Sequence, residues 1–176
     1  MSITASFLAE LTPRWQAIAP LRLGGTEPRH VTPNRYVVVE GEGVTLRCDI
    51  FQNGLECFPF EDVQVWRGLL LIGYGCHLYV VNLATRAITE HKYGSYFGSL
   101  YIEQDYCLVA SGASLYRLDE KGGYAWASRD LGIDGVLVHD VSDGVVRGDG
   151  EWDPPGGWRP FSVRLSDGSR VAPANV

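Results

Sequence analysis

Lysine is almost missing from this chain: Lys92 and Lys121 are the whole supply, against thirteen arginines dispersed along the sequence. A nucleic-acid footprint needs basic residues gathered on one face and interleaved with aromatics, and nothing of the kind occurs. Long apolar runs are missing too; none approaches the roughly 18–20 residues of a membrane-spanning helix. Residues 1–11 carry Glu10 and no basic segment, unlike a secretory leader, so a cytoplasmic address is expected, with neither nucleic acid nor membrane as a partner. Four cysteines, Cys48, Cys57, Cys76 and Cys107, form no Cys-x-x-Cys pair, and no histidine stands at zinc-ligand spacing from two of them. They read as small buried thiols, with a Cys48–Cys57 disulfide across a hairpin as the oxidised alternative. The chain also lacks a Gly-x-Ser-x-Gly elbow, a phosphate-cradling glycine loop and a dinucleotide fingerprint. No cofactor is expected.

What is present is glycine and a repeat. The 176 residues include 21 glycines and 9 prolines, with 45% hydrophobic and 20% charged residues. That is the balance of a globule able to bury a core while turning often between short strands. Gly75-Cys76-His77-Leu78-Tyr79 returns 37 residues later as Gly112-Ala113-Ser114-Leu115-Tyr116, each copy after a short apolar run and before a polar turn. A supersecondary unit repeated at this period points to stacked or radially arranged β-modules.

Residues 1–33 stand outside the repeat as a helical and loop extension: Phe7, Leu8, Leu11, Trp15 and Ile18 approach helical spacing around Pro13, and Gly24 to Pro33 is loop-like. Residues 34–176 read as a single all-β domain. A first set of strands is Arg35 to Glu40, Val44 to Phe51 and, after Asn53-Gly54, Leu55 to Phe58. Val63 to Trp66, Leu69 to Ile72, Leu78 to Leu83 and Ala87 to His91 make a second set. Leu100 to Glu103, Tyr106 to Ala110, Ser114 to Leu118 and Tyr124 to Ala127 make a third. The fourth comprises Val136 to Val141, Gly144 to Arg147, Phe161 to Leu165 and Arg170 to Val171. About four antiparallel, propeller-like meander modules are therefore expected, preceded by a short helical segment, with a β-sandwich as the alternative.

The rhythm of strand, glycine, strand, Leu-Tyr and turn resembles the repeats of WD and quinoprotein-type propellers, without their Gly-His near a blade start or Trp-Asp at a blade end. The segment from Gly148 to Phe161, with Ile133-Asp134-Gly135-Val136 before it, is similar to small bacterial proteins of toxin–immunity loci. That resemblance implies an immunity-type role and carries over no functional residues.

Charge is concentrated late in the chain. Asp130, Asp134, Asp140, Asp143, Asp149, Glu151 and Asp153 stand against the single base Arg147, a local sum equal to the −6 of the whole chain. A basic partner would be drawn to this stretch; alternatively the acids are solvated loops that maintain solubility. Within it, residues 148–161 read as a long loop grown on the fourth module, stiffened by Pro154-Pro155 and bearing Trp152 and Trp158. Such a loop can anchor a partner, or its rings can tuck into the core.

Asp149, Glu151 and Asp153 alternate, so an extended chain puts them on one face, where three oxygens could take calcium or two could serve an inverting glycosidase. Tyr93-Gly94-Ser95-Tyr96-Phe97-Gly98 joins the second and third modules and either lines a groove or plugs the space between sheets. His139 and Asp140 point to opposite faces of a strand and make a poor catalytic pair. The reading that follows is a non-enzymatic protein-binding protein. Its contact residues are Asp134, Asp149, Glu151, Asp153, Trp152, Trp158, Tyr93 and Tyr96, and its partner is a protein such as a toxin with a basic face. The alternative is a small-ligand or carbohydrate-binding module that stacks sugars on Tyr93, Tyr96, Trp126 and Trp158.

Overall fold

A computed structural model describes residues 3–25, 32–52, 60–153 and 156–172. Among these residues there are fifteen strands, arranged in four sheets, and one short helix. Four small sheets are the propeller-like modules expected, where a sandwich would need two.

The first sheet contains β1 (Thr4–Leu8), β2 (Leu21–Gly24), β3 (Arg35–Gly41) and β4 (Val44–Phe51), in the order β1-β3-β4-β2. Two of these strands come from the segment expected to be helical and loop. β1 pairs antiparallel with β3, Thr4 opposite Glu40 and Leu8 opposite Tyr36, and β2 runs parallel to β4. The sheet is therefore not a meander of sequence neighbours.

The helix α1 is only Pro13–Gln16. Proline interrupts a helix from within but suits its first turn, where no N–H is required, so Pro13 opens this one. The connection is tied down by Arg47 of β4. Its guanidinium donates to both Asp49 carboxylate oxygens at 2.7 Å and to the carbonyls of Trp15 and Ile18. Leu55 to Phe58, the remaining strand expected here, lies outside the described residues, as do Cys57 and Asn53-Gly54.

The other sheets are meanders. The second has β5 (Glu61–Trp66), β6 (Leu69–Tyr74), β7 (His77–Asn82) and β8 (Ile88–Lys92) in sequence order. The third has β9 (Phe97–Ile102), β10 (Cys107–Ser111), β11 (Leu115–Leu118) and β12 (Tyr124–Ser128), also in sequence order. The fourth has three strands, β13 (Val136–Ser142), β14 (Val145–Glu151) and β15 (Trp158–Arg164). The expected strand at Arg170 and Val171 amounts to one bridge, Val163 to Arg170. Three hairpins turn on a residue followed by glycine, both at positive φ: Glu42-Gly43, Arg67-Gly68 and Asp143-Gly144. This backbone has the twist that two-residue hairpins need, and glycine reaches it without strain.

The chain divides into two compact units. One is Met1–Cys57 with Val63–Ile72 and Tyr79–Glu90; the other is Phe58–Asp62 with Gly73–Leu78 and His91–Val176. In the first, Val37, Val39, Cys48, Ile50 and Leu23 are buried. In the second, Leu108, Ala110, Leu115, Trp126, Leu131, Val136, Val146, Phe161 and Val163 form one apolar core. Trp126 is held there by an indole N–H bond to the Leu165 carbonyl at 2.9 Å. Cys48, Cys76 and Cys107 are all buried, as expected of small apolar thiols. Burial first, and the neighbouring Asp49 or Asp62 charge second, pushes the Cys48 and Cys107 thiols up to about 12.

The repeat has a structural meaning in the second unit. Each copy begins in a tight turn, and the segment leaving the module bonds back to that turn. Tyr93 donates its N–H to the Cys76 carbonyl at 2.8 Å, and Leu131 donates to Ala113, the equivalent residue, at 3.0 Å. The recurring turn thus satisfies backbone groups of the connection to the next module.

Candidate functional site

The 148–161 stretch is mostly strand. β14 continues through Asp149 and Gly150 to Glu151, β15 starts at Trp158, and Glu151 faces Trp158 as the last pair of the ladder. The expectation of a long loop is corrected on this point: the additional residues lengthen a hairpin. The physical reason is the partner strand β13, whose Val136, Leu137 and Val138 pair with Gly150, Asp149 and Gly148 and draw the polar stretch into the sheet. The connection between the strands is short. Gly156 and Gly157 donate their N–H groups to the Asp153 carbonyl at 3.0 and 2.9 Å, and Trp152 donates to the Gly157 carbonyl. Pro154 and Pro155 lie outside the described residues.

The segment before β13 folds against this hairpin. Ile133 donates to the Glu151 carbonyl at 2.7 Å, and Glu151 returns its N–H to Gly135 at 2.9 Å. The Trp158 ring lies against Gly135. From the second-to-third connection, Tyr96 reaches across and donates its hydroxyl to the Asp134 carbonyl. Phe60 stacks on Tyr96, with ring centres 5.3 Å apart and planes 20° from parallel. Together these residues bound a hollow of about 260 Å³, with Gly98, Ser99, Ser111, Val136 and Leu137 as its floor and sides.

Four of the eight expected contact residues, Tyr96, Asp134, Glu151 and Trp158, therefore meet at one place. Trp158 is 40% exposed and Phe60 45% exposed, so rings that could have served the core are turned to solvent instead. The wall is acidic. Burial, then the charges of Asp134 and Glu151, raise the Tyr96 hydroxyl above its ordinary value. Neither carboxylate takes part in a salt bridge among the described residues. Among the described residues, the lining has no Lys, Arg or His.

The other four expected residues lie elsewhere. Asp149 is on the outward face of β14, where an oxygen of its carboxylate is 2.8 Å from His139 Nε2. His139 thus finds its carboxylate across the strand pair, where the sequence offered only the adjacent Asp140. Asp140 is itself held low by the Ser142 hydroxyl and then by the Arg147 guanidinium. Asp153 belongs to the turn, and Trp152 is half-buried with the Arg159 guanidinium 5.7 Å from its ring. Tyr93 is a core residue: it is buried, its ring is 5.1 Å from that of Tyr116, and its hydroxyl accepts from Tyr124 at 2.9 Å.

Asp149, Glu151 and Asp153 do not assemble as three ligands. Among the described residues, no group of three or more His, Cys, Asp or Glu is placed to hold a metal ion. Trp126, the fourth stacking platform of the carbohydrate reading, is in the core. Phe60 is the site residue that sequence reasoning missed. It lies 36 positions from the ring it stacks on, and no local spacing announces such a pair. Among the described residues, no helix is long and apolar enough to cross a membrane.

No family model matches this chain, and no curated protein matches it. Among solved structures it is similar to the WD40 domain of Neurospora crassa Pan2, at 12% identity and a TM-score of 0.45, over 78% of this chain. The match takes in 48% of that structure, so this chain spans about half its length.

Proposed function

We propose that this chain is a non-enzymatic protein-binding protein that engages a basic partner through the hollow bounded by Tyr96, Asp134, Glu151 and Trp158. In its most concrete form it is an immunity protein that covers the active site or a basic face of a cognate toxin. The observation that carries the reading is the meeting of exposed aromatic rings with two carboxylates outside any described salt bridge, around a recess of small and apolar residues. Exposed rings on a rigid hairpin lose little entropy on docking and can supply most of an interface's affinity. Acids around them speed the approach of a positive partner and disfavour a negative one.

The test is to pan a random-peptide library against the folded protein and titrate the enriched sequences by calorimetry. The expected binders are basic, and Trp158→Ala weakens them by about tenfold or more, equivalent to ~1.4 kcal/mol. Failure to enrich any sequence, or binders indifferent to Trp158→Ala and Glu151→Gln, would remove the hollow as the binding face. The immunity form is tested separately by expressing the product of a neighbouring gene with and without this chain and following cell growth.

A further inference from the structure

The hollow's chemistry says more about its occupant than "basic". Its walls offer two things at once: flat aromatic faces, from the near-parallel Phe60–Tyr96 stack and from Trp158, and carboxylates that lack a cationic partner among the described residues. An anion is disfavoured, because no cation lines the recess among the described residues and two like charges border it. A neutral apolar group would fill the space but strip water from Glu151 without replacing its hydrogen bonds. A lysine ammonium can bond a carboxylate, yet it is compact and strongly hydrated and gains little from flat rings. A trimethylated ammonium likes the rings but has no hydrogen to donate. A guanidinium meets both demands, since it is planar, weakly hydrated, stacks on aromatic faces and donates in a fork that matches a carboxylate.

Tyr96 backs the aromatic wall. Its hydroxyl is bonded to the Asp134 backbone carbonyl and Phe60 stacks on its ring, so the aromatic faces turned to solvent are those of Phe60 and Trp158. Glu151 is fixed in the same way through its backbone, bonded on one side to Ile133 and on the other to Gly135. The charged end is thus carried by a stationary strand end opposite Trp158.

We infer that the hollow receives an arginine side chain of the partner, its guanidinium stacked on the aromatic wall and hydrogen-bonded to the Glu151 carboxylate. The inference rests on the protein-binding reading above and names the residue that the reading leaves open. The experiment uses four short blocked peptides, identical except for a central arginine, citrulline, lysine or trimethyllysine, titrated into the full chain while the Trp158 indole N–H signal is followed by NMR.

The arginine peptide is expected to move that signal saturably, and citrulline, equal in shape but uncharged, to bind at least about tenfold more weakly. Glu151→Gln should weaken arginine binding with the rest of the spectrum unchanged. Equal binding by citrulline, tighter binding by trimethyllysine, or no saturable shift with arginine overturns the assignment. The two readings fail separately. A library-selected peptide that keeps its affinity after arginine is replaced by citrulline removes arginine and leaves protein binding standing. The absence of any selected peptide counts against protein binding itself.

Discussion

Strands β10 and β14 are both central strands of their sheets, yet β10 is buried at all five residues and β14 only at every second one. β10 reads Cys-Leu-Val-Ala-Ser, a near-continuous apolar run. β14 reads Val-Val-Arg-Gly-Asp-Gly-Glu, with Val146, Gly148 and Gly150 inward and Val145, Arg147, Asp149 and Glu151 outward. The inward glycines leave room for neighbours, and the Phe161 ring takes the space beside Gly148. Position within a sheet therefore does not decide what a strand can display; cover on its second face does. A strand covered on both faces can serve only the core, whereas a half-covered strand can present charge. The candidate site lies at the end of the half-covered strand.

The largest break in this comparison should come from β10. Leu108→Ala removes a fully buried side chain from the second unit's core and should cost about 2–5 kcal/mol in urea unfolding. A loss below about 1 kcal/mol would mean that the strand's second face is not packed.

Alkaline pH should act next, through buried Tyr93 and the half-buried Tyr124 that bonds it. Burial raises Tyr93 well above the ordinary value of 10, and burial likewise raises Tyr124. The folded state therefore keeps protons that the unfolded chain gives up first. Stability is fully present below pH 10 and falls as pH rises beyond it, by up to about 1.4 kcal/mol per pH unit for each such tyrosine. Urea midpoints that stay level across that window would contradict the buried placement.

Tyr93→Phe should follow at about 1 kcal/mol, because it strands the Tyr124 hydroxyl. The matching Tyr96→Phe change sharpens the contrast: it should leave the fold in place and show itself mainly as weaker arginine-peptide binding, through a loosened ring. The smallest effect belongs to the outward face of β14. Asp149→Asn weakens a partly exposed pair with His139 and should change stability by about 0–1 kcal/mol. A larger loss would show that this face carries structure as well as charge.

Much of the architecture was legible because strands and tight turns are local. Glu42-Gly43 and Asp143-Gly144 announce their hairpins in two letters, and the Leu-Tyr repeat marks β7 and β11 through buried Leu78 and Leu115. The N-terminal strands were not legible. Thr-Ala-Ser-Phe-Leu is a weak strand sequence that becomes one only because β3, nearly thirty residues away, offers it an edge. The 148–161 stretch was misjudged for a related reason: its glycines, prolines and acids have loop composition, but β13 supplies bonds that composition does not see.

At the site, residue type indicated which side chains were worth watching but not which would meet. Tyr93 and Tyr96 are three positions apart and alike in chemistry, yet one is buried with its hydroxyl bonded to a half-buried tyrosine and the other bonds a carbonyl at the border of the hollow.

The sequence by itself determined the all-β class, the number of modules, most of the turns and the acidic character of residues 130–153. These depend on alternation, turn chemistry and charge, which are properties of neighbours along the chain. Tertiary structure alone decided that Phe60, Tyr96, Asp134, Glu151 and Trp158 share one hollow and that Asp149 is drawn off to His139. Those outcomes depend on contacts between distant residues, where burial and the satisfaction of backbone groups, more than local preference, set which rings and charges remain available.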